Sequence, residues 1–364
     1  MKKLATAIVM STLVSSAMWA MPAFAEMGKE HAGSGEASRD AGGADVKFDP
    51  AAKAAPPRIE AGEETRAAPI TDEKKAVESF TALTRSADGT VTRSAPTDAM
   101  RDLVLQDLKS EGGAMMGGAK KVEKSEDPAF SEGDEANRQV FGDDDRVQIN
   151  NTKAAPFPVF GYIEAKSKTG TGGCSGTLIG PRTVLTAAHC LYSHEDKDWL
   201  SDILFAPGLN TFENIPFGAY AAESVTIVEG FVTNYQGYYG SVVPWDLGII
   251  TLADPIGDSV GYLGYWNYED LGDFAANIVG YPGDKPAGTM WRATCNVLGE
   301  MISENNFSYD CDTYPGSSGS SVYAYDNAAK QRVVVGVNVA ESAENNTAVR
   351  LNATYVAWIN SLWK

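Results

Sequence analysis

From Val140 to the end of the chain, short runs of Val, Ile, Leu, Tyr and Phe are separated by Gly, Pro, Asn and Asp turns. The runs are Pro158–Ala165, Ser175–Leu185, Ser224–Val228, Leu247–Leu252, Ala276–Gly280 and Val333–Val339. Each is too short for a typical helix and is rich in residues that suit a pleated, half-buried surface. Many such runs punctuated by turns predict an all-β sandwich or barrel architecture. One segment differs. Tyr355, Trp358, Ile359 and Leu362 recur at i, i+3, i+4 and i+7, which predicts a helix over Thr354–Trp363 packed on the β core.

The stretch from Glu26 to about Gln139 has another character. It is rich in Ala, Gly, Glu, Lys and Asp and contains no Trp, Tyr or Cys. Such a composition cannot bury enough apolar area to offset chain entropy, so the segment is expected to be mostly disordered. Two patches stand out: Met100, Leu103, Val104 and Leu108 behind a Thr97 cap predict a helix over Thr97–Lys109, and Val77–Leu83 carries a weaker signal. Ahead of this lie Lys2 and Lys3, an apolar run from Leu4 to Trp19 and the small-residue site Ala23-Phe24-Ala25. Residues 1–25 therefore read as a secretory signal peptide, with no membrane anchor after its cleavage. The net charge of −18, without any basic cluster, argues against a nucleic-acid partner and suits solubility outside the cell. Behind an export signal, the four cysteines Cys174, Cys190, Cys295 and Cys311 suggest two disulfides. Three pairings are open, and one of them, Cys174–Cys190 with Cys295–Cys311, closes two short loops. No CxxC spacing favours zinc.

Three places can carry chemistry. Histidine is scarce: His31 lies in the leader, and His194 lies in the charged loop Ser193–Asp198, where it reads as a solvated surface residue. His189 instead ends the apolar run Val184-Leu185-Thr186-Ala187-Ala188. Gly316-Ser317-Ser318-Gly319-Ser320 sets a hydroxyl between glycines, which allow a tight turn and free N–H groups for an oxyanion. Asp246 stands directly before the apolar run Leu247–Leu252, where a carboxylate at a strand edge can hold an imidazole in one tautomer. Singly, each has an ordinary explanation as a structural His, a Gly/Ser loop or a turn cap. Together, in the order His, Asp, Ser, they form one of the chain orders known for nucleophilic acyl transfer.

Thr186–Cys190 resembles the histidine motif of chymotrypsin-like serine proteases, and Gly316–Ser320 resembles their nucleophile loop. Further segments resemble secreted bacterial glutamyl endopeptidases: Val140–Val147, Ile179–Val184, Gly261–Tyr265, Gly280–Lys285 and Asp312-Thr313-Tyr314. The resemblance implies two antiparallel six-stranded β-barrels with a C-terminal helix over residues 140–364. It implies Ser318 as nucleophile, His189 as general base and then acid, Asp246 as the group orienting His189, and the N–H groups of Gly316 and Ser318 as the oxyanion hole. It also implies a Cys174–Cys190 disulfide beside the histidine. Residues 26–139 become a propeptide, released near Arg138–Gln139, whose new amino terminus helps shape the specificity pocket. Ser317 stands where trypsin-like zymogens carry the aspartate that pairs with that terminus.

The pocket departs from the glutamyl pattern. Thr313 is present, but Asn338 stands where those relatives have a histidine. Asn338 can donate a hydrogen bond to a glutamate substrate but brings no charge. Asp312, with Glu341, opens the opposite expectation of a preference for basic residues. The expected activity is a secreted, monomeric endopeptidase acting on proteins or peptides, with no cofactor and with Asp143–Asp145 and Glu195–Asp198 read as solvated charge runs rather than calcium ligands. The rivals are a catalytically dead homologue kept as a binding module, and an esterase or lipase, whose fold would alternate helices and strands in the order Ser, Asp, His.

Overall fold

A computed structural model describes Phe48, Ala67 and residues 70–109, 140–269, 271–326, 330–342 and 345–363. The signal peptide and the expected processing position lie outside the described residues. The leader is the first departure from expectation, because residues 70–109 are folded. Helix α1 (Glu73–Ser79) starts at Asp72, whose carboxylate accepts from Lys75 N at 2.7 Å. Strand β1 (Ala82–Ser86) and strand β2 (Val91–Ser94) form a hairpin, and α2 (Asp98–Lys109) follows with Thr97 Oγ1 accepting from Met100 N. The predicted helix is therefore α2, one residue shorter at its start, whereas Val77–Leu83 straddles the end of α1 and the start of β1. Composition failed here because the segment does not build its own core. Ala76, Phe80, Met100 and Val104 are buried in the same cluster as Trp245, Ile249 and Tyr355.

The body begins with β3 (Val147–Gln148), β4 (Phe160–Lys166), β5 (Thr171–Leu178) and β6 (Thr183–Thr186). The expected single run Ser175–Leu185 is thus two strands, broken at Gly180–Arg182. After the short hairpin β7 (Tyr192–Ser193) and β8 (Asp198–Trp199) come β9 (Ser201–Pro207), β10 (Tyr220–Val228), helix α3 (Glu229–Thr233) and β11 (Gly248–Leu252). Strands β11, β6, β5, β4, β9 and β10 pair in that order, and β10 pairs back onto β11, which closes a six-stranded barrel. Closure removes most free edge around that ring, and Ser224–Val228 of β10 pair outward with β1.

The second half contains helix α4 (Gly257–Val260), β12 (Gly264–Tyr265), β13 (Phe274–Gly280), β14 (Trp291–Val297), β15 (Asn306–Tyr309), β16 (Ser321–Asp326), β17 (Gln331–Glu341), β18 (Asn346–Arg350) and helix α5 (Ala353–Leu362). Its order is β15-β18-β17-β16-β13-β14-β3, with β12 parallel to β17. The sheet curls into a half-barrel whose β14 and β15 edges share no hydrogen-bonded ladder. The Cys295–Cys311 disulfide, with Cα atoms 5.0 Å apart, joins them instead. Helix α5 matches the predicted terminal helix and starts at Asn352, whose side chain accepts from Tyr355 N at 3.0 Å.

Candidate active site

Strand register brings His189 and Asp246 together. In the β6–β11 ladder Thr186 lies opposite Gly248, so the residues just past β6 face those just before β11. His189 sits in a tight 3-10 turn, Ala188–Cys190, and the turn Val243–Trp245 aims Asp246 at it. One carboxylate oxygen accepts from His189 N at 2.8 Å, and the other lies 2.6 Å from His189 Nδ1. The Asp246 side chain is 0% exposed and that of His189 is 5% exposed. An acid so placed favours the tautomer with the proton on Nδ1, leaving Nε2 unprotonated. Nε2 is buried and makes no hydrogen bond.

Ser318 arrives from the second half of the molecule, on the loop between Cys311 and β16. Gly316 has φ +103° and Gly319 φ +84°, conformations open to glycine. A Cβ at Gly319 would stand 2.1 Å from Thr186 Oγ1 and 2.3 Å from Ser175 O, so no other residue fits there. The loop is pinned to β5 by Ser175, whose N–H donates to Ser318 O at 2.8 Å and whose hydroxyl donates to Gly316 O at 2.7 Å. Thr186 Oγ1 in turn donates to Ser175 O at 2.8 Å. The Cys190 sulfur lies 3.7 Å from Ser318 O, which sets the Gly316–Ser320 loop against the histidine turn. No hydrogen bond links Ser318 Oγ to His189 Nε2 in this resting arrangement. Such contacts often tighten only when substrate is bound. Among the described residues, the N–H groups of Gly316 and Ser318 have no acceptor.

Tyr239 was invisible in the sequence. Its hydroxyl touches the same Asp246 oxygen that faces His189, and it lies 3.0 Å from Val339 O. Complete burial, then the neighbouring Asp246 charge, pushes its phenol well above the ordinary tyrosine range. Ser175 was missed too, since an isolated Ser next to Cys174 carries no signal. His194 is not the solvated residue expected. Its ring stacks on Tyr235 with centroids 3.9 Å apart and lies 4.5 Å from Phe231, and burial lowers its pKa to about 4.

Around the expected pocket, Asn338 is fully committed to the frame. It donates to Ser317 O at 3.2 Å and accepts from Tyr309 at 2.5 Å. Thr313 Oγ1 donates to the buried Glu341 carboxylate at 3.2 Å. Asp312 accepts from Phe141 N at 2.7 Å and Asp145 N at 3.2 Å, while burial raises its pKa against the pull of those two bonds. Within the acidic run, Asp144 faces the buried Arg146 guanidinium at 2.8 Å, together with Lys285, and these contacts hold its carboxyl far below the usual range. Among the described residues, only Cys174, His189 and Cys190 group closely enough to hold a metal. Both sulfurs of that group are joined in a disulfide with Cα atoms 6.1 Å apart, so neither can be a thiolate ligand.

This is a mostly β, chymotrypsin-like serine protease fold. The profile of the trypsin family matches residues 146–359, and the chain belongs to that family. A glutamyl endopeptidase of Bacillus licheniformis is 34% identical over 203 residues, 55% of this chain and 60% of that protein. A protein of Bacillus subtilis named extracellular metalloprotease is 32% identical over 58% of this chain and 66% of its own length. The solved structure of a Glu endopeptidase in complex with MPD matches with 28% identity and a TM-score of 0.54, covering 61% of this chain and 98% of that one. The chain spans less than two thirds of the two curated relatives' lengths.

Proposed function

We propose that this chain is a secreted serine endopeptidase, made as a zymogen, that cleaves internal peptide bonds through an acyl-enzyme on Ser318. The observation carrying the reading is the buried 2.6 Å contact between His189 Nδ1 and Asp246, set beside a glycine-flanked serine on a loop pinned to the same barrel. Ser318 Oγ attacks the substrate carbonyl while His189 Nε2 takes its proton. The oxyanion falls between the N–H groups of Gly316 and Ser318. His189 then gives the proton to the departing amine, and Asp246 stabilises the imidazolium meanwhile. Water repeats the cycle and frees the acid product.

Of the expected pocket residues Asp312, Thr313 and Asn338, none is a cation. Asp312 is read as an anchor for residues 141–145, since two backbone N–H groups occupy it. Glu341, buried and accepting from Thr313, adds a second carboxylate beside these residues. Asp312, Thr313 and Asn338 offer a glutamate side chain no cation, so weakened glutamate preference is the reading. Export is read from the signal-like residues 1–25; among the described residues no helix is long and apolar enough to cross a membrane.

A fluorophosphonate tests the nucleophile directly. Wild-type protein should be labelled and Ser318→Ala should not, with peptide turnover falling by at least about 10⁴. Wild-type turnover by Ser318→Ala, or an unlabelled wild-type protein, would leave a binding module as the better reading.

A further inference from the structure

The outer edge of β10 is shared between two partners. Tyr220 and Ala221 pair with β9, while Ser224–Val228 pair with β1 of the leader, from Ser224 opposite Ser86 to Val228 opposite Ala82. The ladder continues past both ends, with Ala87 N donating to Glu223 O at 2.9 Å and Glu229 N donating to Thr81 O at 2.8 Å. The leader thus supplies the strand that β9 does not provide over this half of β10. Without it a five-residue edge of an otherwise closed barrel would stand open, and such edges invite pairing with other chains.

Side chains extend the contact to the chemistry. Phe80 is fully buried, with its ring edge-on to Trp245 at 5.2 Å and to Tyr355 at 5.3 Å. Trp245 directly precedes Asp246, and Tyr355 hydrogen-bonds the carbonyl of Pro244. Arg93 pairs with Glu229 at 2.7 Å, and Asn234 Nδ2 donates to Ser79 Oγ at 3.1 Å. Phe80 thus fills a place in the body's core between Trp245 and Tyr355.

We infer that residues 70–109 are a permanent part of the working enzyme, docked on the surface running from the β10 edge to α5, and remain bound as a second chain after any backbone cut between Lys109 and Val140. The inference rests on the processing read under the proposed function only for the second chain. Residues 26–139 contain no cysteine, so retention is non-covalent. The occupant is a segment of this same chain, recognised by strand addition and by the Phe80 plug.

Intact-mass measurement of the purified active protein, under native and then denaturing conditions, tests it. The native species should include residues 70–109, either continuous with the body or as a fragment that separates only on denaturation. A fully active native species consisting of residues 140–364 alone would overturn the inference. In cut protein, the ladder amides of Ala82–Ser86 should exchange with solvent at least about 100-fold more slowly than in the free 70–109 peptide. Equal rates would also overturn it. Fluorophosphonate labelling is scored separately: an unlabelled protein removes the Ser318 reading, and an active uncut chain removes the processing reading, while mass and exchange still decide retention.

Discussion

The two halves of the body close in different ways. The first barrel closes by backbone hydrogen bonds alone, through the return of β10 to β11, and it carries His189 and Asp246. The second is a curled sheet whose edges meet through Cys295–Cys311, and it carries Ser318 with the residues around the pocket. Orienting an imidazole needs two groups held within a fraction of an ångström, which a hydrogen-bonded ring provides. A substrate-recognising wall needs loops between strands, which an open sheet supplies more freely. The difference teaches that rigidity is concentrated where the imidazole is oriented.

The sharpest way to break that comparison is at the carboxylate. Asp246→Asn should lower kcat by about 10⁴ with the fold intact, because an amide at Oδ2 favours the wrong imidazole tautomer. Steady-state kinetics with a circular-dichroism control would read this. Next comes the staple. Replacing Cys295 and Cys311 by Ser frees a 16-residue separation and should cost about 3 kcal/mol in denaturant unfolding, with the His189–Asp246 pair unaffected. A stability loss accompanied by an equal loss of kcat would show that the two halves are not separable. Tyr239→Phe removes one donor to the Asp246 carboxylate while leaving a ring of nearly the same shape. The expected fall in kcat is about 10-fold, with KM unchanged and the acid limb of the pH–rate profile displaced. An unchanged profile would reduce Tyr239 to packing.

The smallest effect concerns the leader. Burial, then the charge of Glu304, raises Asp107 to about 6 against an ordinary value of 3.8, while a hydrogen bond from Thr354 pulls it down. The docked state therefore holds a proton that the unfolded chain has released. This stabilisation is complete below about pH 4 and is lost as pH rises through about 6. Asp107→Asn should match the wild type near pH 4 and exceed it above pH 6. Because Asp107 is half exposed, the gain is of order 1 kcal/mol or less. Melting temperatures of the pair across that window decide the matter.

Much of the site was legible because its parts are local. His189, Asp246 and the Gly316–Ser320 loop each sit beside a recognisable apolar run or turn, and His-Asp-Ser order links them. Tyr239 and Ser175 were not legible, since what they do depends on contacts with Asp246, Gly316 and Ser318 far away in the chain. His194 misled because its loop is charged, while its ring finds Tyr235 and Phe231. The leader misled for a broader reason. Phe80, Met100 and Val104 are few, but they are buried in a core whose remaining members lie beyond Val140. Composition scores a segment by what it could bury alone.

Ser175 has a consequence for anyone who would move this chemistry elsewhere. The curvature of the Gly316–Ser320 loop is gripped at two of its carbonyls by Ser175, on a strand of the opposite barrel. A five-residue graft of Gly316–Ser320 into a foreign scaffold would carry the letters without the mould. The transplantable unit is the loop together with the strand that grips it.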